Sequence, residues 1–87
     1  MITNKNSVCK ILVVDDDPDM LRITERLLKE QSYTVSTAVD GQECLQAIRL
    51  EKPDLLLLDV MLPDISGIDI CKTIKKDPQL STIFVAL

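Results

Sequence analysis

Two uninterrupted apolar runs, Ile11-Leu12-Val13-Val14 and Leu55-Leu56-Leu57-Leu58, both end in acid: the first in Asp15-Asp16-Asp17, the second in Asp59. A short run without polar alternation fits a strand covered on both faces, the situation of a strand inside a parallel sheet flanked by helices. Parallel strands bring their C-terminal ends to one edge, where open α/β sheets bind ligands. Both acidic clusters are therefore expected to converge there. At ~4 Å and an effective dielectric of about 20, two carboxylates repel by roughly 4 kcal/mol, a cost that a hard divalent cation would relieve. An all-oxygen site open to water suits Mg²⁺.

The rest of the chain alternates strand and helix signals. Val8 to Val14 reads as a buried strand, after which Asp17-Pro18 opens a helix with Asp17 as N-cap and Pro18 at the first helical position. Met20, Leu21, Ile23, Leu27 and Leu28 form its apolar stripe. Tyr33 to Thr37 alternates in the manner of a half-exposed edge strand. Asp40 and Glu43 suggest a capping box for a second helix, with Cys44, Leu45 and Ile48 inward and a stop before Pro53. Leu55 to Asp59 is the third strand. Ser66 and Asp69 suggest a second capping box, opening a helix with Ile70, Cys71 and Ile74 inward and ended by Asp77-Pro78. Ile83 to Leu87 is again continuously apolar and is expected to be a strand buried on both faces. This alternation predicts an α/β parallel sheet with right-handed crossovers and helices on both faces.

Composition narrows the function classes. An 87-residue chain that is 46% hydrophobic with a net charge of -4 suits one soluble globular domain. It has no basic stripe with which to neutralise nucleic-acid phosphates, so direct nucleic-acid binding by this segment is not expected. Lys29, Lys52, Lys75 and Lys76 fall near helix C-termini, where solvation and the helix dipole account for them. Cys9, Cys44 and Cys71 are widely spaced among apolar residues and read as reduced core thiols of a cytoplasmic protein. The absence of histidine removes Ser-His triads and most zinc sites. Residues 1–7 form a polar leader without the apolar core of a signal peptide, and no stretch is long and apolar enough to span a membrane.

Three motifs, Ile11-Leu12-Val13-Val14-Asp15-Asp16-Asp17-Pro18, Lys52-Pro53-Asp54-Leu55 and Leu58-Asp59-Val60-Met61-Leu62-Pro63-Asp64-Ile65-Ser66-Gly67, together resemble the receiver domain of a two-component response regulator. The likeness covers residues 8–87. It implies a flavodoxin-like doubly wound sheet of strand order 2-1-3-4, with the family's fifth strand and last two helices absent from this chain. It also implies that Asp59 is the phosphoacceptor, taking a phosphoryl group from a sensor histidine kinase or phosphotransfer protein, and that the domain signals to a downstream output module and is not an enzyme in its own right. By the same resemblance Asp15, Asp16, Asp59 and the main-chain carbonyl of Met61 would hold Mg²⁺. Asp17 falls one position past the acid pair and is assigned to helix capping.

Pro63 and Gly67 match positions that shape the loop after the acceptor; Pro63 fixes φ, and Gly67 permits a conformation or close approach barred to residues with a Cβ. Asp64 reads as solvated, Asp54 as a strand opener and Asp40 as a cap. Simple capping explains one acid of the first cluster but not two adjacent carboxylates facing a third. A haloacid-dehalogenase phosphatase would want a second Asp two residues after the nucleophile, where Met61 stands, and a nucleotide site would want a Gly-rich loop after the first strand. A receiver-like docking module without phosphorylation is the alternative, and it has no need of the acid cluster. The family's later switch residues, a Ser or Thr after the fourth strand, a Lys after the fifth and a rotating aromatic, have no counterpart up to Leu87. The chain is accordingly expected to be a fragment, prone to dimerise or to pair through its fourth-strand edge.

Overall fold

The computed structural model describes residues 9–87, so the polar leader and Val8 lie outside the described residues. Four strands and three helices alternate: β1 (Lys10–Val14), α1 (Pro18–Glu30), β2 (Thr34–Ala38), α2 (Gly41–Leu50), β3 (Leu55–Leu58), α3 (Gly67–Lys76) and β4 (Phe84–Ala86). All pairings are parallel, and the order is β2-β1-β3-β4, as expected.

The register places Ile11 beside Leu55, Leu12 beside Leu56, Val13 beside Leu57 and Val14 beside Leu58. Side chains alternate across a pleated strand, so odd and even positions serve opposite faces. Leu12, Val14, Leu56 and Leu58 join Ala38, Cys44, Ile48, Ile70 and Ile74 in a core under α2 and α3. Ile11 and Val13 join Leu21 of α1 on the other face, with Leu28, Val35, Leu55 and Leu57 partly buried around them.

The helix starts follow from their caps. The Asp17 carboxylate accepts the amides of Asp19 and Met20, with Pro18 at the first position as expected. Asp40 accepts the Glu43 amide at 2.8 Å, and Glu43 reaches back one residue further than a strict capping box, to the Val39 amide. Ser66 accepts the Ile68 amide alone, so the second box is only half made. α1 ends in a Schellman motif: Tyr33 N–H donates to the Leu28 carbonyl and Ser32 N–H to that of Lys29. Ser32 takes the left-handed position, at φ 71°.

Several expectations are corrected. Of the α1 stripe only Leu21 is buried, while Met20, Ile23 and Leu27 are exposed, because α1, the one helix on this face among the described residues, rests its apolar side on the sheet through Leu21 and the half-buried Leu28. β4 is not buried on both faces: among the described residues it pairs only with β3, Phe84 is exposed and Val85 and Ala86 are half-buried. Ile83 is buried but precedes the strand. Cys44 is buried as expected, whereas Cys9 and Cys71 are only half-buried. Two lysines have specific partners beyond the helix dipole. Lys75 Nζ donates to the Ser81 and Ile83 carbonyls, and Lys52 Nζ to the Gln79 carbonyl and Thr82 Oγ1, tying down the connection into β4.

Candidate acidic site at the carboxyl edge of the sheet

β1 and β3 are adjacent and parallel, and each delivers an acid to the same edge immediately after its last residue. Two backbone hydrogen bonds extend the ladder past the strands. Asp59 N–H donates to the Val14 carbonyl at 3.0 Å, and Asp15 N–H donates to the Ala38 carbonyl at 3.2 Å. The main chain of both acids is therefore held by the sheet itself.

Asp15, Asp16 and Asp59 each present a carboxylate oxygen, and these oxygens lie within 4.8 Å of one another. Asp15 and Asp59 are half-buried and Asp16 is exposed. Asp15 Oδ1 also accepts the Asp17 amide at 2.9 Å, folding the chain back before α1 and leaving the Asp17 side chain to cap that helix. Asp59 Oδ1 accepts the Met61 amide at 3.0 Å, so the loop after β3 turns over its own acid. The Met61 side chain is itself exposed. A groove of about 350 Å³ leads from Asp15 and Asp59 along the α1 side of the sheet, lined by Val13, Thr24, Leu57 and Ala86.

No lysine or arginine among the described residues forms an ion pair with the three acids; the pairs present are Lys10–Glu51, Arg22–Asp19 and Lys29–Glu25, none of which includes them. Three clustered carboxylates without a cationic side chain form an oxygen donor set suited to a hard divalent ion such as Mg²⁺. The residues present fit that group.

The loop from Val60 to Ser66 is fixed at both ends. At its far end Gly67 N–H donates to the Val60 carbonyl at 2.9 Å, and a Cβ on Gly67 would stand 2.6 Å from the Asp59 carbonyl oxygen and 2.8 Å from Val60 Cα. Gly67 is thus required for close backbone approach, the second of its two anticipated roles, since no glycine among the described residues has a positive φ.

Asp64 is not simply solvated. Its Oδ1 accepts the Gly41 amide at 2.8 Å and the Ile65 amide at 2.8 Å, and its Oδ2 accepts the Gln42 amide at 2.9 Å. The Gly41 amide, opposed by desolvation and reinforced by Gln42 and Ile65, holds this carboxyl below the ordinary carboxylate range. Sequence reasoning misses the contact because its partners lie on a helix 22 and 23 residues earlier. Asp54 behaves as expected of a strand opener, its carboxylate accepting the Lys10 amide at 2.8 Å.

Comparison with known proteins agrees with this fold. The family model described as the response regulator receiver domain matches residues 11–87. The chain is 42% identical over 76 residues to the alkaline phosphatase synthesis transcriptional regulatory protein PhoP of Bacillus subtilis, a match covering 87% of this chain and 32% of that protein. The chain therefore spans about a third of the length of this curated relative. Among solved structures, the N-terminal domain of a response regulator receiver protein from Methanoculleus marisnigri superposes with a TM-score of 0.86 at 39% identity, covering 91% of this chain and 64% of that one. The response regulator TrrA from Thermotoga maritima, solved in complex with Mg²⁺–BeF, gives a TM-score of 0.78 at 35% identity, covering 83% of this chain and 63% of that one. With its strand order, its acidic edge and these matches in agreement, the chain belongs to the response regulator receiver domain family.

Proposed function

We propose that this chain is the phosphoacceptor portion of a two-component response regulator and that Asp59 is the residue phosphorylated. The observation that carries the reading is the meeting of Asp15, Asp16 and Asp59 within 4.8 Å at the carboxyl edge of β1 and β3. The donor is a phosphohistidine on a sensor kinase or phosphotransfer protein. A carboxylate oxygen of Asp59 forms a bond to phosphorus, the P–N bond of the donor breaks, and the imidazole nitrogen keeps the electron pair and takes up a proton. The product is an acyl phosphate.

Asp15, Asp16, Asp59 and the Met61 carbonyl would hold Mg²⁺, and TrrA, similar to this chain, was solved with Mg²⁺–BeF bound. When bound, the ion supplies positive charge that offsets repulsion between the attacking carboxylate and the phosphoryl oxygens. The chain's own residues do the positioning. The sheet holds the backbone of Asp59 through Val14, the Met61 amide orients its carboxylate through Oδ1, and Gly67 lets the loop pass close enough for that contact. Such positioning together with charge neutralisation is most of what phosphoryl transfer requires.

Phosphorylation adds about -1.5 to -2 of charge at this edge. That charge is relayed to an output module; relatives include proteins named as transcriptional regulators. In this reading the domain assists its own phosphorylation and dephosphorylation in the cytoplasm. No described helix is long and apolar enough to cross a membrane.

Intact mass measured after incubation with acetyl phosphate, with and without Mg²⁺, tests the reading. A Mg²⁺-dependent phosphoryl adduct that disappears in Asp59→Ala supports it. An adduct that survives in Asp59→Ala refutes the assignment, and a folded wild type that takes no phosphoryl group from acetyl phosphate or a phosphohistidine donor favours a docking module instead.

A further inference from the structure

The first three amides of α2 have no partner within the helix, as at any helix start. The local cap Asp40 satisfies only one of them, that of Glu43. The other two, from Gly41 and Gln42, are taken by Asp64, which belongs to the loop leaving the acceptor. A Cβ on Gly41 would come within 2.9 Å of Ile65 Cβ and 3.1 Å of Asp64 Oδ1, so the loop and the helix start are in direct contact and a glycine makes room for it.

We propose that Asp64 is a positioning residue for the acceptor site: by docking on the start of α2 it holds the loop that carries Met61 against Asp59. The inference rests on the phosphoacceptor reading. Among the described residues, the loop between Asp59 and α3 is held by Gly67, whose N–H donates to the Val60 carbonyl, by Leu62 and Ile65 packed on the core, and by the hydrogen bonds of Asp64 to α2. Met61 lies between Val60, which Gly67 holds, and Asp64, and its amide donates to the acceptor carboxylate at 3.0 Å. Loss of the Asp64 anchor removes the loop's hydrogen bonds to α2 and leaves the Met61 peptide freer to move away from Asp59. The same contact makes the link mechanical in both directions, so displacement of the loop on phosphorylation would pull on the start of α2.

A merely structural cap would behave like Asp40, which serves the same helix end through the Glu43 amide and makes no hydrogen bond to the loop among the described residues. The test therefore compares Asp64→Ala, Asp64→Asn and Asp40→Ala in the protein. Amide resonances of Met61 are recorded without metal, and Mg²⁺ affinity and the rate of adduct formation with acetyl phosphate are measured alongside. Both Asp64 variants are expected to shift the Met61 resonance and to weaken Mg²⁺ binding by about tenfold, the range seen when a partner orienting a metal ligand is lost. Asp40→Ala should leave both at wild-type values, and Asp64→Asn provides the comparison should Asp64→Ala fail to fold. Asp64 variants with a wild-type Met61 resonance and Mg²⁺ affinity overturn the proposal, as does an Asp40→Ala variant that matches them. Failure of the phosphoacceptor reading is distinguishable, because an adduct that persists in Asp59→Ala leaves the metal-free Met61 resonance still to decide whether Asp64 positions the loop.

Discussion

The two faces of the sheet are supplied by alternate residues of the same strands, yet they are covered to different depths. Beneath α2 and α3, eleven of the described side chains are buried together, among them Leu56, Ile70 and Ile74 with no exposed surface. Beneath α1 only Ile11, Val13 and Leu21 are buried among the described residues, and Met20, Ile23 and Leu27 stand about half in water. The central strands β1 and β3 are apolar toward both sides, so the difference lies in the number of helices over each face among the described residues. Full burial of a Leu or Ile contributes about 1.5 to 3 kcal/mol. Stability is therefore concentrated under α2 and α3, and the acidic site sits where the two unequal layers meet.

The largest effect that could break this comparison is a truncation on each side. Ile74→Ala is expected to cost about 3 to 4 kcal/mol in urea unfolding, while Leu27→Ala should change stability by no more than about 0.5 kcal/mol. Similar costs would mean that α1 is packed as deeply as the other layer. Cys44 offers a reporter for the same contrast. Burial, aided by the nearby Asp64 charge, pushes its thiol up to about 11, so alkylation at neutral pH should occur only when this layer opens, and after labelling of the half-buried Cys9 and Cys71.

Gly67→Ala forces a Cβ against the Asp59 carbonyl and should cost about 2 kcal/mol, with Mg²⁺ binding weakened as well. A loss of stability without a change in binding would separate the loop from the site. A smaller effect, of opposite sign, is expected from Asp16→Asn. Relief of repulsion at an exposed acid should stabilise the metal-free protein by about 0.5 to 1 kcal/mol and abolish the stabilisation that Mg²⁺ confers on wild type, read by thermal unfolding.

Ser32→Gly, on the thinly covered side, should raise stability by about 0.5 kcal/mol, because glycine adopts the left-handed C′ position without the Cβ penalty. The last effect depends on pH. The carboxyl of Asp64 is held below the usual range by the Gly41 amide and its neighbours, so above pH of about 5 the unfolded chain and the native state are both ionised and the contribution is complete. As pH falls further the unfolded state binds the proton first, stability declines, and the contribution is gone once the native carboxyl is also protonated. Asp64→Asn should flatten that part of the acid-unfolding curve.

Much of the site is legible in the amino-acid sequence. The apolar runs ending in Asp15-Asp16-Asp17 and Asp59 carry a local signal, since a run without alternation implies a doubly covered parallel strand and parallel strands share an edge. The helix starts at Pro18 and Gly41 are legible for the same reason, because capping chemistry acts over three or four residues. Illegible features depend on partners beyond the reach of local capping rules. Asp64 reads as solvated because nothing near it in sequence asks for a carboxylate; its demand comes from the amides of Gly41 and Gln42. Lys52 and Lys75 read as ordinary helix-end cations, and their carbonyl partners, including those of Gln79 and Ile83, come within reach only once the chain has folded.

By itself, then, the sequence determined the order of elements, the parallel sheet and the edge at which three acids meet, because periodicity, caps and strand-end acids are properties of neighbouring residues. The tertiary structure decided which apolar residues are buried, since Ile74 and Leu27 are both apolar positions in a helical pattern and differ in what lies opposite them. It also decided that the loop after Asp59 is anchored on α2. A helix start with two free amides needs an acceptor that its own residues do not provide, and the fold alone determines which distant carboxylate comes within reach.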